Sequence, residues 1–160
     1  MFAFPGWLAV LEALNLSPVI VSVPSDIDWR LHSSGESEAH RALKERVAVN
    51  PEIVGFTERP FSAVVEYCFR TGDTVDVFFQ GRTEQLYVEV KSHEAPEGEI
   101  FRGLLQCVKY QALATAIASI EGSQRETRTV LALGGPLPAN LRPLINTLGI
   151  TVVDGLAPRG

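Results

Sequence analysis

TVDVFFQGRTEQLYVEVK, residues 74–91, holds two apolar runs on either side of Gly81-Arg82-Thr83-Glu84. Val, Phe and Tyr suit the pleated, half-buried surface of a strand, and a short gap with Gly between two such runs signals a hairpin. With that gap as a four-residue loop, Gln80 pairs with Gln85, Phe78 with Tyr87 and Asp76 with Glu89. Side chains alternate along a strand, so Leu86, Val88 and Val90 share one face while Tyr87, Glu89 and Lys91 share the other. Asp76 and Glu89 then face each other with Cβ atoms about 5 Å apart, where like charges repel. In a sheet covered on both faces, Glu89 and Lys91 point into a desolvated space, and buried charges are costly unless they are paired or hold an ion.

A cation between the two carboxylates removes the repulsion. Asp and Glu oxygens are the hard ligands that Mg²⁺ and Mn²⁺ prefer, and Mg²⁺ takes few protein carboxylates, leaving its other positions to water and substrate phosphate. Lys91 stands one step along the same face, suited to orienting a nucleophile or offsetting charge that develops on a phosphate. Asp, Glu and Lys are the parts that metal-assisted phosphodiester hydrolysis uses. A Glu-x-Lys pair is also the pattern of a solvated, salt-bridged strand face, and Asp76 that of a strand-end residue beside a turn. The chemistry therefore needs support from elsewhere in the chain.

On the N-terminal side, SAVVEYCFR (62–70) is another strand-like run, joined through Thr71-Gly72-Asp73, so three adjacent strands form an antiparallel meander. Before it, Ser33 and Glu36 resemble a capping box, Ala39, Leu43 and Val47 make one apolar stripe, and Pro51 closes a helix over about 34–48. On the C-terminal side, PEGEIFRGLLQCVKYQALATAIASIEG (96–122) opens on Pro and two glutamates and ends on Gly, as a long helix does; Gly98 and Gly103 weaken only its first turns. RTVLALGG (128–135) reads as a strand, PANLRPLINTLG (138–149) as a short helix closed by Gly149, and ITVVDG (150–155) as a last strand. This order predicts an α/β sandwich in which a mixed sheet carries helices on both faces.

A chain of 160 residues has a one-domain length, and 46% hydrophobic with 21% charged residues is the composition of a soluble globule. The net charge of −5 excludes a protein that coats nucleic acid through a general positive field, though not one with a local basic groove. Cys68 and Cys107 fit no metal-ligand spacing and read as buried free thiols in a reducing cytoplasm. The opening MFAFPGWLAVLEALNLSPVIVSV (1–23) is apolar, but Glu12, Asn15, Pro5 and Pro18 interrupt it and no basic residue precedes it. It reads as a short helix and a strand rather than a membrane span or signal peptide. His32, His40 and His93 lack zinc-site spacing, Glu66 reads as an exposed strand residue or an acid standing behind the site, and LALGGPLP (131–138) as a strand-exit loop with no phosphate-binding motif.

The long helix carries Arg102, Gln106, Lys109 and Tyr110 at spacings that place them on one polar stripe, with Leu104, Leu105, Val108 and Ala112 as the stripe that packs on the sheet. The polar stripe is either a solvated outer face or part of a site. With these residues and this element order, the chain resembles the PD-(D/E)xK nuclease superfamily, whose fold is restriction-endonuclease-like, and within it the RecB-like branch. The motifs are Asp76, then Glu89-Val90-Lys91, then Gln106-x-x-x-Tyr110; Val75 stands where the superfamily motif has Pro.

The resemblance implies one domain over 1–160, with an αβββαβ core at about 34–134, an N-terminal helix/strand addition at 1–33, and a C-terminal helix and strand at 139–154. It implies Asp76 and Glu89 as metal ligands, helped by the backbone carbonyl of Val90, and Lys91 as the catalytic lysine. It also implies Gln106 and Tyr110 as residues holding the site and the nucleic-acid backbone, with Arg102 and Lys109 contacting nucleic acid. A metal-binding glutamate is expected on the first core helix; Glu38 is the candidate, or else a solvated helix residue. The implied activity is a cytoplasmic, Mg²⁺- or Mn²⁺-dependent nuclease that hydrolyses DNA, with RNA left open as a substrate. The alternative is a silent nuclease-fold module that binds nucleic acid or protein. The acidic balance implies that a partner protein, a homo-oligomer or a fused domain supplies part of the DNA affinity.

Overall fold

The structure is a computed structural model that describes residues 36–157. The expected helix and strand within 1–23, and Ser33, lie outside the described residues.

Helix α1 spans Glu38–Val49, and the Oγ of Ser37 accepts the His40 N–H at 3.2 Å as its N-cap. The helix therefore begins later than the expected 34–48. Ser37 makes the capping bond, and Glu36, expected to be inside the helix, precedes it. Strands β1 (Ser62–Cys68), β2 (Thr74–Gln80) and β3 (Glu84–Lys91) follow, then α2 (Glu97–Glu121), β4 (Glu126–Leu133), α3 (Arg142–Leu148) and β5 (Thr151–Val153). α2 and α3 stop where Gly122 (φ 63) and Gly149 (φ 65) take the left-handed conformation that Gly adopts without a Cβ penalty.

The five strands lie in sequence order. β1–β2 and β2–β3 are antiparallel, β3–β4 and β4–β5 parallel. Gln80 pairs with Gln85 and Phe78 with Tyr87, as the hairpin reading requires. Residue 58 helps fix that register: the Glu58 carboxylate accepts the N–H groups of Arg82 at 2.6 Å and Thr83 at 3.0 Å, clamping the loop.

The two faces of the sheet differ in their partners. Leu43 and Val47 of α1 pack on Val77, Phe79, Leu86, Val88 and Val90, while Leu104 and Cys107 of α2 pack on Leu131 and Leu133 from the opposite side. An aromatic cluster of Phe69, Phe78, Tyr87 and Tyr110 extends the α2 side toward β1. β1 is an edge strand of the described sheet and is largely exposed, so Cys68 is exposed and Cys107 is a buried thiol. Among the described residues, no helix is long and apolar enough to cross a membrane.

Candidate active site

Alternation along β2 breaks at Asp76. Val77 and Phe79 pack on the α1 side, whereas Val75 and Phe78 both belong to the aromatic cluster on the α2 side. The β2–β3 ladder ends with Val77 opposite Val88, so Asp76 and Glu89 come one step beyond it, where the strands are no longer tied by backbone bonds. There the Asp76 side chain replaces the ladder: its Oδ2 accepts the Val90 N–H at 2.7 Å. The N–H and C=O of one residue in an extended strand point to the same side, which turns the Val90 carbonyl toward the same gap. Asp76 Oδ1 lies 3.4 Å from His40 Nε2 on α1.

Glu89 is 3% exposed. Burial raises its carboxyl pKa, the nearby Asp76 charge raises it further, and Lys91 pulls it back only in part, leaving it pushed up to about 7. Lys91 Nζ donates to Glu89 Oε1 at 2.8 Å and to Gln106 Oε1 at 3.3 Å. Gln106 Nε2 in turn donates to the Tyr110 hydroxyl at 3.4 Å, and that hydroxyl donates to Thr74 O at 2.7 Å. Every donor in this chain points the same way, so the bonds polarise one another and tie α2 to both β2 and β3 beside Asp76. Burial holds the Tyr110 phenol far above its usual pKa, so it stays protonated and able to donate.

Asp76, His40 and Lys91 border an open cleft of about 650 Å³, which Glu36, Ser37 and Lys44 line from the α1 side, Glu66 from β1, and Ser92, Glu94, Ala95, Pro96 and Glu99 from the turn into α2. Gly103 lets α2 approach: a Cβ there would lie 3.0 Å from both Lys91 Cε and Leu131 Cδ1.

The sequence-derived candidates separate on this geometry. Asp76, Glu89, Val90, Lys91, Gln106 and Tyr110 meet in one place. Tyr110 is buried at 2% exposure with its hydroxyl on Thr74, so it supports the site from behind and offers no surface to a nucleic acid. Arg102 is exposed and pairs with Glu99, and Lys109 pairs with Asp73. The packing stripe of α2 runs through Phe101, Leu104, Cys107, Tyr110 and Ala114; Leu105 is outside it and exposed, a rotation of the expected stripe that brings Tyr110 inward.

Glu38 does not reach the cleft. Its side chain is 78% exposed and pairs with Arg41, because two residues along the helix turn it away from the face that carries His40. His40 is the helix residue beside Asp76, and Lys44 sits deeper on the same face. Glu66 also borders the cleft, while His93 packs against Gly134 and Gly135 elsewhere. No sequence spacing marks His40 or Lys44, because their partners come from β1 and β2. The one available signal is the spacing of four that runs from Glu36 to His40 and from His40 to Lys44, beside the apolar Leu43 and Val47.

The donor chemistry suits a hard divalent cation: two neighbouring carboxyl groups, one of them buried with its pKa raised by burial and then by the charge of the other, with an imidazole adjacent to Asp76. Among the described residues, no group of three or more His, Cys, Asp or Glu side chains is placed to hold a metal ion, so the protein would offer an ion here two carboxylates at most as charged ligands. An ion here would keep open positions for water and phosphate, as Mg²⁺ does.

No family model matches the chain, and no curated protein does. Among solved structures, it is similar to EndoMS in an EndoMS–dsDNA2 complex, with a TM-score of 0.52 and 20% identity over 83% of this chain and 50% of that one. It is likewise similar to EndoMS in apo form, with a TM-score of 0.50 and 18% identity over 79% and 49%. The chain thus spans about half the length of the EndoMS chains it resembles. At this level of identity the likeness concerns the fold alone: among the described residues, a mixed five-stranded sheet flanked by helices, with the αβββαβ order of the restriction-endonuclease-like fold.

Proposed function

We propose that this protein is a cytoplasmic nuclease of the PD-(D/E)xK type, in the RecB-like branch with a Q-x-x-x-Y motif, that hydrolyses DNA phosphodiester bonds with Mg²⁺ or Mn²⁺. The observation that carries the reading is the convergence of Asp76, Glu89 and Lys91: a carboxylate at the end of the β2–β3 ladder, a buried acid one step beyond it, and an ammonium 2.8 Å from that acid. Asp76, Glu89 and the Val90 carbonyl would hold the ion, with His40 as a further donor. When bound, such an ion supplies Lewis-acid polarisation of the phosphate and lowers the pKa of water.

The remaining chemistry belongs to the chain. Lys91 offsets negative charge developing on the scissile phosphate and orients the attacking water. Gln106 fixes the Lys91 ammonium, and Tyr110 fixes Gln106 against the Thr74 carbonyl, so the cation is positioned before substrate arrives. Glu89 Oε1, 2.8 Å from Nζ, holds the ammonium in place from the β3 side. Arg102 and Lys109, on the solvent side of α2, are the cations available to a nucleic-acid backbone, and a partner protein or second copy supplies the rest of the grip.

The test is cleavage of linear, circular and single-stranded DNA by purified protein in Mg²⁺, Mn²⁺ and chelator. Cutting should require the ion, and Lys91→Ala should fall by about 10²–10³-fold while keeping its fold, the scale of losing one preorganised charge-stabilising group. Cleavage that persists in chelator, or in Lys91→Ala, defeats the reading. The acidic rim of Glu36, Glu66, Glu94 and Glu99 favours a second reading, a silent module that binds a basic partner. That reading predicts no cleavage on any substrate and no response of the melting temperature to Mg²⁺.

A further inference from the structure

Lys44 lines the cleft from α1 but has no part in the chemistry proposed above. It is 4% exposed; its Nζ donates to Glu66 Oε1 at 2.8 Å and pairs with Glu36. Burial alone would lower the pKa of the ammonium, but its hydrogen bonds to Glu36 and Glu66 outweigh that and hold the value above the usual one. An ammonium has three donors, so it can hold both carboxylates at once. Glu66 lies between the Val65–Val77 and Tyr67–Val75 pairs of the β1–β2 ladder and has φ 56, a left-handed conformation that a non-glycine residue keeps only where its surroundings over-determine it. Its contact with Lys44 ties α1 to the edge strand at that point.

One turn before Lys44, His40 faces two acids with a single nitrogen. Its Nε2 lies 3.4 Å from Asp76 Oδ1 and 3.8 Å from Glu36 Oε1. A carboxylate only accepts, and Nε2 carries at most one hydrogen, so the two acids compete for one bond. Glu36, four residues away in the chain, is the local competitor. Lys44 occupies it: the Glu36 oxygen that stands near His40 is the one that pairs with Lys44. That hydrogen bond holds the Glu36 carboxyl below its usual pKa, so it stays an anion committed to the ammonium. The imidazole is left to Asp76 Oδ1, while Asp76 Oδ2 takes the Val90 N–H at 2.7 Å. Both oxygens of Asp76 are thereby oriented, and each keeps a lone pair for an ion.

We propose that Lys44 is a positioning residue: anchored on Glu66, it holds Glu36 away from His40, so that the imidazole bonds Asp76 and fixes the orientation of that carboxylate. Lys44 does this without touching Asp76 or an ion. Its effect on metal binding rests on reading Asp76 as a metal ligand; its effect on His40 does not. Hydrogen-bonding partners that orient a ligating carboxylate are worth about 10–100-fold in metal affinity.

The ring signals of His40 in nuclear magnetic resonance, recorded in chelator, report which acid it bonds; their loss in His40→Gln identifies them among the three histidines. In wild type, Asp76→Asn should move them and Glu36→Gln should leave them nearly in place. In Lys44→Met that order should reverse, and in Lys44→Met/Glu36→Gln the dependence on Asp76 should return. Lys44→Arg, which can still pair with both acids, should behave as wild type. Mn²⁺ affinity, read by electron paramagnetic resonance, should fall about tenfold in Lys44→Met and recover in Lys44→Met/Glu36→Gln and Lys44→Arg. A purely structural Lys44 would lower the melting temperature and leave the order of the shifts as it is. An unchanged order in Lys44→Met, or no return in the double variant, overturns the proposal. If Lys44→Met does not fold, the two single substitutions in wild type decide: signals that move with Asp76→Asn alone support it, and signals that follow Glu36→Gln as strongly overturn it. No Mn²⁺ bound by wild type, with the shifts ordered as expected, defeats the metal site at Asp76 and keeps the role of Lys44; bound Mn²⁺ with an unchanged order in Lys44→Met defeats the role of Lys44 alone.

Discussion

Replacing Glu89 with Gln should stabilise the metal-free protein at alkaline pH and do nothing at acid pH. The carboxyl of Glu89 rises from its usual 4.5 to about 7 because it is buried and stands beside Asp76. For a carboxyl whose pKa is raised by folding, the native state holds a proton that the unfolded chain gives up, so stability falls as pH rises from the usual value through about 7. Above that window the whole penalty is present; below it there is none. At about 1.4 kcal/mol per tenfold change, the penalty is roughly 3 kcal/mol. Gln has nearly the same shape and never ionises. The gain is reduced because Lys91 loses its anionic partner while keeping Gln106, leaving a net effect on the order of 1–2 kcal/mol. In a chain of this length that corresponds to about 2–8 °C in melting temperature. Thermal melts in chelator at about pH 8 and about pH 4 measure it. If Glu89→Gln is destabilised at the higher pH, or shifts equally at both, Glu89 and Asp76 are not crowded and the electrostatic account of the site is refuted.

Tyr110→Phe removes the hydroxyl that serves Thr74 O and Gln106; it should cost about 1–2 kcal/mol in denaturant unfolding and lower kcat with little change in KM, since it acts through Lys91. Gly103→Ala would place a Cβ 3.0 Å from Lys91 Cε and Leu131 Cδ1; an overpacking cost of about 1–3 kcal/mol is expected together with a loss of cleavage, and a variant that is stable and fully active would show that the approach of α2 does not set Lys91. Ser37→Ala should cost about 1 kcal/mol by chemical denaturation through loss of the α1 cap, and by loosening the helix turn that carries His40 it should also weaken Mn²⁺ binding.

What was legible in the sequence was what local chemistry determines. The register of the 74–91 hairpin follows from its loop, and with it the neighbourhood of Asp76 and Glu89. Strand alternation puts Lys91 on the face of Glu89, while Gln106 and Tyr110 come only with the Q-x-x-x-Y resemblance. What failed was what depends on how elements meet. Glu38 and Glu36 both look like helix glutamates, and only the cap at Ser37 decides which one turns into the cleft. His40 and Lys44 acquire their roles from residues on β1 and β2. Gly103 looked like a weak spot in a helix because the Lys91 stem it makes room for belongs to another strand. Tyr110 read as part of the polar stripe because the rotation of α2 is set by its packing on the sheet, and Cys68 looked buried because nothing in its own sequence says that β1 is an edge of the sheet.

A crystal grown in Mn²⁺ and measured near the manganese absorption edge tests the central claim most directly. Anomalous density should appear within about 2.0–2.3 Å of carboxylate oxygens of both Asp76 and Glu89, with the Lys91 ammonium beside it. Density elsewhere, or none there while the two carboxylates keep their present contacts, would contradict a metal-dependent active site in this cleft.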